Sequence, residues 1–331
     1  MVRKVEKFES NIQIFFSFFF YFLIFKMLFH ANTDENYPID IPYSFHQYNI
    51  IRLLGAGSTS IVVLVEDDIS LKRYAAKIIS KRNIKENHIE NVVNNEIDIL
   101  ERLNHRNVVK MHKQFEYGGY IIIIMDYCEN GDLLSYAMQK GFKSEYQMKN
   151  IMIGMLEAVE YLHSKGICHG DIKPENVLLD KDMNPKLSDF GYSKMKQIGG
   201  DHEKSGTLFY AAPELFKRGD FDTFKSDIYA VGISLYSIVE LKFPFRDGSQ
   251  KFIVRQIISG KLNISPRLSS SLKKLILRCT DMIPENRPSI KEVICDSYFD
   301  CSLHNSSIGK YDVNIIVPVQ VESTQQLTSL I

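Results

Sequence analysis

The run His169-Gly170-Asp171-Ile172-Lys173-Pro174-Glu175-Asn176 sets a carboxylate, an amine and a carboxamide close together. A little further on, Asp189-Phe190-Gly191 adds a second carboxylate. In that order these side chains suit phosphoryl transfer. Such a reaction asks for an acceptor for the proton of the attacking hydroxyl, a cation for the migrating phosphate, and oxygen ligands for magnesium. Asp171 fits the first, Lys173 the second, and Asn176 with Asp189 the third. Either segment alone is weak evidence; both, so ordered and spaced, are strong.

Chemistry of this kind needs a nucleotide held in register, and the upstream sequence offers elements for it. Leu54-Gly55-Ala56-Gly57-Ser58-Thr59-Ser60-Ile61-Val62 lies between two apolar runs, Tyr48–Leu54 and Ile61–Val65, which read as strands joined by a hairpin. Glycines in such a turn let backbone N–H groups approach phosphates, although an isolated Gly-x-Gly is more often a simple turn. Tyr74-Ala75-Ala76-Lys77-Ile78-Ile79 reads as the next strand. Its lysine is costly to bury without a counter-charge. Ile89, Val92, Val93, Ile97, Leu100 and Leu103 recur at helical spacing, and Glu96 beside that stripe is a candidate, unless it is an ordinary solvated helix residue. Ile121-Ile122-Ile123-Ile124-Met125-Asp126-Tyr127-Cys128 reads as a buried strand running into a polar end.

Taken together these segments resemble the eukaryotic protein kinase family. The resemblance continues through Gly206-Thr207-Leu208-Phe209-Tyr210-Ala211-Ala212-Pro213-Glu214, Ser226-Asp227-Ile228-Tyr229-Ala230-Val231-Gly232 and Asn286-Arg287-Pro288, in the family's order. It implies an α+β, bilobal protein-kinase fold. A small N-terminal lobe of antiparallel strands with one key helix would be followed by a larger, mainly helical lobe. Helical stretches at Ser144–Lys165, Ser226–Leu241, Lys251–Ser259 and Ser271–Asp281 agree. The implied divisions are an apolar segment over 1–29, a linker over 30–47, the kinase domain over 48–299 and a tail over 300–331.

The resemblance also implies roles. ATP and Mg2+ would be the cofactors. Lys77, fixed by Glu96, would orient the nucleotide phosphates, and Leu54 to Ser60 would fold over them. Val62, Ala75, Met125 and Leu178 would line the adenine pocket, with Met125 as gatekeeper. The hinge, Asp126 to Cys128, would bond the adenine edge through its backbone. Asp132 would accept from the ribose hydroxyls, and it equally fits the N-cap of the next helix. Asp171 and Lys173 would be catalytic, and Asn176 and Asp189 would bind metal. Asp227 would brace the catalytic loop and Arg287 would pair with Glu214. Phe190, His169, Leu100 and Met111 would stack to link the lobes, so that Phe190→Ala lowers activity without unfolding the protein. Lys173, and Thr207 after Gly206, resemble serine/threonine kinases rather than tyrosine kinases. Ser60, the continuation Gly191-Tyr192-Ser193-Lys194 and Ala211-Ala212-Pro213-Glu214 look most like the calmodulin-dependent and AMP-activated group. Asp132 and Glu175 match positions that could pair with an arginine upstream of the target residue. The alternative there is that Asp132 serves the ribose and Glu175 faces solvent.

One departure matters. Most family members carry arginine where this chain has Gly170, and the usual activation-loop phosphosite falls on Glu203. Without the guanidinium, a phosphate on the loop has lost its main docking cation. The expectation is activity independent of phosphorylation at that position, while Ser193, Ser205 and Thr207 remain modifiable. The Gly170 and Ser60 departures also admit a pseudokinase scaffold, against which stand Lys77, Glu96, Asp171, Asn176 and Asp189.

Lys+Arg and Asp+Glu both number 40, so zero net charge gives no general attraction to nucleic acid or anionic membrane. Protein substrates are the expected partners, and a monomer the expected state. The five cysteines (Cys128, Cys168, Cys279, Cys295 and Cys301) form no Cys-x-x-Cys pair and read as reduced residues of a cytoplasmic protein. Residues 12–25 are almost wholly apolar, a little short of the roughly 20 residues a membrane span needs. They read equally as an anchor or as residues upstream of a start at Met27. The chain closes on Ser329-Leu330-Ile331, similar to a PDZ-binding terminus, with an inert tail the favoured reading.

Overall fold

The computed structural model describes residues 43–57, 60–195, 207–217 and 219–299. The apolar segment at 12–29, Ser58, Thr59, Glu203, Ser205, Gly206 and the tail over 300–331 lie outside the described residues. Among the described residues no helix is long and apolar enough to cross a membrane.

The N-terminal lobe is an antiparallel sheet of six strands: β1 (Ser44–Phe45), β2 (Tyr48–Ala56), β3 (Ser60–Asp67), β4 (Arg73–Ser80), β5 (Met111–Tyr117) and β6 (Tyr120–Asp126). Their order is β1-β2-β3-β4-β6-β5. Side chains alternate across a strand, so each strand serves two faces. Ile61, Val63, Val65, Ala76, Ile78, Ile122 and Ile124 turn to one face and form a core with Phe45 and Tyr48. The opposite face carries Val62, Lys77 and Ile123 in one cross-strand row and Leu64, Ala75 and Met125 in the next. β6 is apolar on both faces because both are covered, which explains its unbroken run of isoleucines. Phe45 is fully buried, so packing begins within residues read from sequence as linker.

Two helices follow β4: α1 (Lys81–Asn87), capped by Ser80, and α2 (Glu90–Arg102). Val93 and Ile97 of α2 pack on Ile79 and Ile123 of the sheet's second face. This is the predicted stripe, and it turns Glu96 inward.

The C-terminal lobe is built on α3 (Leu133–Gln139), α4 (Glu145–Ser164), α5 (Thr223–Glu240), α6 (Gln250–Ile258), α7 (Ser270–Cys279) and α8 (Ile290–Ile294). Each starts at a residue whose side chain accepts from a first-turn N–H: Asp132, Ser144, Asp222, Ser249, Ser269 and Ser289. α5 is buried on nearly every side from Asp227 to Ile238, as an all-round apolar helix at the centre of a lobe must be. Short strands lie beside these helices: β7 (Ile167–Cys168) against α5 and paired with β10 (Lys194–Met195), and β9 (Pro185–Leu187) against α4 and paired with β8 (Val177–Leu179).

Candidate active site

The segment from His169 to Asn176 leaves β7 over the start of α5. There Asp227, 2% exposed, accepts from the backbone N–H groups of His169 and Gly170 and from His163 Nε2, each at 2.9 Å. Burial opposes its charge, but the His163 bond and the surrounding donors hold its carboxyl below the usual range. This fixes the backbone just before Asp171. Gly170 takes φ +79°, a left-handed conformation open to glycine at no steric cost, and a Cβ there would lie 2.7 Å from the Tyr192 carbonyl oxygen. The sequence marked Gly170 as a missing cation; its backbone also supplies close packing against the segment after Asp189.

Asp171 is 4% exposed and collects three donors. Lys173 Nζ reaches its Oδ2 at 2.6 Å, the Thr207 N–H reaches Oδ1 at 2.8 Å, and Asn176 Nδ2 lies 3.1 Å from Oδ2 and 2.9 Å from the Asp171 carbonyl. Desolvation pushes toward the neutral acid, but Lys173 and the Thr207 N–H outweigh it and lower the pKa, so Asp171 is ionised at neutral pH. Lys173 Nζ also donates to Thr207 Oγ1 at 2.6 Å. Asp171, Lys173, Asn176 and Thr207 therefore converge on one point.

Asp189, exposed and at φ +62°, accepts from the Gly191 N–H at 3.5 Å. Phe190 turns the other way, 1% exposed, with its ring 5.3 Å from that of His169 at 63°. Leu100 joins Phe190 in the main core and Met111 packs against it. Because Phe190 lies in that core, truncation to alanine carries a cavity cost of about 3–5 kcal/mol, and a loss of stability accompanies any loss of activity.

Across the cleft, Lys77 Nζ pairs with Glu96 Oε1, their side chains 16% and 7% exposed. Val62, Ala75 and Met125 share the Lys77 face of the sheet, and Leu178 of β8 is half-buried. Leu54 and Gly55 end β2, and Gly57 N–H donates to the Ser60 carbonyl at 2.8 Å to close the hairpin. A Cβ at Gly55 would meet nothing within 4 Å, so the space beside it is open. Ala56 is exposed at the same tip.

In the hinge, the Asp126 side chain braces rather than faces the cleft. It accepts from His112 Nε2 at 2.8 Å, Lys186 Nζ at 3.1 Å and Lys110 N–H at 3.2 Å. Burial raises its pKa, but the His112 and Lys186 contacts prevail and bring it down to about 2. Cys128 is buried and its thiol is pushed up to about 12 by desolvation, so it is not a reactive cysteine.

Asp132 is the N-cap of α3, with Oδ1 accepting from Ser135 N–H at 2.8 Å. Glu175 is half-buried and accepts from Tyr210 Oη at 3.0 Å, so it does not simply face solvent. Burial and the nearby Asp132 carboxylate raise its pKa. Ser193 is fully buried and donates to the His169 carbonyl at 3.0 Å, which removes it from the modifiable residues in this conformation.

Below the site, Arg287 makes a bidentate pair with Glu214 at 2.6 and 2.8 Å, as the resemblance implied. The sequence reading missed the Thr207 N–H on Asp171, His163 beneath Asp227, Lys186 on Asp126, and Asn95, whose Nδ2 donates to the Ser193 carbonyl at 2.7 Å. Only Thr207 carried a signal, its place after Gly206; the others carry none in a single sequence.

Among the described residues no three His, Cys, Asp or Glu side chains form a metal group of their own. Asn176 and Asp189 supply a carboxamide and a carboxylate, a hard-oxygen pair that fits a magnesium ion sharing the rest of its coordination with phosphate oxygens.

Bilobal architecture, a lysine–glutamate pair in the cleft and a carboxylate–lysine–carboxamide loop below it define the class. The sequence matches the Protein kinase domain family over residues 48–299, and the chain belongs to that family. It is 36% identical over 268 residues to the serine/threonine-protein kinase cds1 of Schizosaccharomyces pombe, covering 76% of this chain and 58% of that protein. It is 32% identical over 257 residues to the CBL-interacting serine/threonine-protein kinase 26 of Arabidopsis thaliana, with the same coverages. Over 281 residues it is 33% identical to the 3-phosphoinositide-dependent protein kinase B of Dictyostelium discoideum, covering 83% of this chain and 31% of that protein. The chain thus spans less than two thirds of the length of these relatives.

Proposed function

We propose that the protein is a serine/threonine kinase that transfers the γ-phosphate of ATP to protein hydroxyls. The observation that carries this is the convergence of Lys173, Asn176 and the Thr207 N–H on an ionised, buried Asp171. Asp171 accepts the hydrogen bond of the substrate hydroxyl and takes its proton as the oxygen bonds to the γ-phosphorus and the bond to the β–γ bridging oxygen breaks, releasing ADP. Its lowered pKa makes it an orienting acceptor first and a strong base second. Lys173, held between Asp171 and Thr207, offers its charge to the migrating phosphate. Lys77, fixed by Glu96, holds the nucleotide's inner phosphates. Asn176 and Asp189 would hold magnesium, which would supply positive charge to the phosphates. Positioning and electrostatics supply most of the rate in such a site.

Two finer features belong to this reading. First, the activation segment is tied to the catalytic loop without a phosphate. Lys194 and Met195 pair with Cys168 and Ile167, and the Tyr192 carbonyl packs on Gly170. This supports activity that does not wait for loop phosphorylation. Second, Glu175 and Asp132 leave a paired negative charge beside Tyr210, which supports a preference for arginine or lysine upstream of the target residue.

The test is Mg-ATP phosphotransfer by the phosphatase-treated chain to a degenerate peptide array. Transfer to serine and threonine, enriched by an upstream basic residue and undiminished by phosphatase, is expected. Loss after phosphatase would overturn the regulatory feature, and a flat array the basic preference. Nucleotide binding without transfer would replace the enzyme reading with a scaffold.

A further inference from the structure

The pairing of Lys77 with Glu96 requires α2 to keep Glu96 turned to the sheet, and the start of the helix carries little that is directional to hold it so. Its N-cap, Ile89, offers no side-chain acceptor to the first-turn N–H groups. Its outer side, with Glu90, Asn91, Val92, Asn94 and Asp98, is exposed. The ion pair cannot be relied on to pin it, because taking two charges out of water offsets much of their attraction. Burial of Val93 and Ile97 against the sheet, and of Ile99 and Leu100 in the main core, seats the helix with Glu96 inward, but apolar contact is non-directional and leaves its fine rotation to polar ties.

A directional tie comes from the residue beside Glu96. Asn95 Nδ2 donates to the Ser193 carbonyl at 2.7 Å. Ser193 is fully buried, its Oγ donates to the His169 carbonyl at 3.0 Å, and its N–H donates to the Phe190 carbonyl at 3.0 Å. His169 adjoins the loop that Asp227 fixes, and its ring packs on Phe190. The chain of contacts runs from α2, through Asn95 and Ser193, into the catalytic loop.

We infer that Asn95 and Ser193 form a latch that sets the rotation of α2 and so keeps Glu96 facing Lys77. Both are positioning residues: neither reaches the reacting atoms. The latch rests on the kinase reading of the site and adds to it a pair of residues that couples the two lobes. It is set by burial of Ser193 and needs no modification of the chain.

Asn95→Asp is the sharpest variant, since it keeps the shape, removes the donor and sets a carboxylate oxygen against the Ser193 carbonyl. Asn95→Ala removes the contact without repulsion, and Asn95→Gln restores an amide donor. Measured on the full chain, Asn95→Ala is expected to lower kcat about fivefold, the worth of one net hydrogen bond. Asn95→Asp should lower it further and Asn95→Gln should recover part. KM for the peptide and Tm should stay near wild type, while amide hydrogen exchange across residues 90–102 speeds up about fivefold. Wild-type kcat and exchange in Asn95→Asp would overturn the latch. So would a kcat loss matched by a general fall in Tm with no local change in exchange. Should the wild-type chain transfer no phosphate, the kinase reading fails; exchange across 90–102 in Asn95→Asp still decides the latch on its own.

Discussion

Two buried ion pairs use the same chemistry for opposite ends. In the C-terminal lobe, Arg287 is fully buried and meets both oxygens of Glu214. Its other donors go to the carbonyls of Asp281 and Lys225, and Ser226 Oγ adds a third donor to Glu214. Four of the guanidinium's N–H groups are matched, and it lies over the Tyr229 ring at 5.1 Å. In the cleft, Lys77 keeps 16% exposure and reaches one oxygen of Glu96, whose carboxylate rides on a helix whose outer side is bare. A saturated pair fixes a fold. An unsaturated one retains donors for a ligand, and its geometry must be secured from elsewhere.

The comparison is broken most severely by Arg287→Ala, which leaves Glu214 buried and unpaired. The expected cost is about 3–5 kcal/mol, a fall in Tm on the order of 10 °C by calorimetry. Lys77→Met should cost less stability, because Glu96 gives up one contact where Glu214 gives up two and Arg287 four, while phosphotransfer falls by about two to three orders of magnitude. If the two variants lose stability equally, the distinction between the pairs fails.

Smaller effects sharpen it. Glu175→Gln should reduce the preference for an upstream basic residue by about tenfold in kcat/KM, with little change for neutral peptides. In the wild type that preference should decline as pH falls, sooner than for an ordinary carboxylate, because burial raises the Glu175 pKa. Asp126 titrates the other way. With its pKa held down to about 2, it contributes stability that is present above the ordinary value of 3.8 and is lost as pH falls from there through about 2. Chemical denaturation across that window should show the loss, and Asp126→Asn should flatten it.

What was legible in the sequence follows the same division. Strands of the N-terminal lobe announce themselves as apolar runs, as Ile61 to Val65 show, and α2 by its apolar stripe. α5 is apolar all round because it is buried all round. The catalytic segment was legible because its donors lie within a few residues of one another. Contacts that join distant segments left no pattern: His163 to Asp227, Asn95 to Ser193, Lys186 to Asp126. A single side-chain hydrogen bond between segments has no periodicity to betray it. Gly170 was read as something lost, and its left-handed backbone against Tyr192 emerges only in three dimensions.

The most direct test of the account is Asp171→Asn, assayed beside wild type for Mg-ATP phosphotransfer and for nucleotide binding. The account predicts unchanged nucleotide binding with phosphotransfer reduced by about two to four orders of magnitude, since the proton acceptor is lost while the cleft is intact. Transfer at the wild-type rate by Asp171→Asn would contradict it.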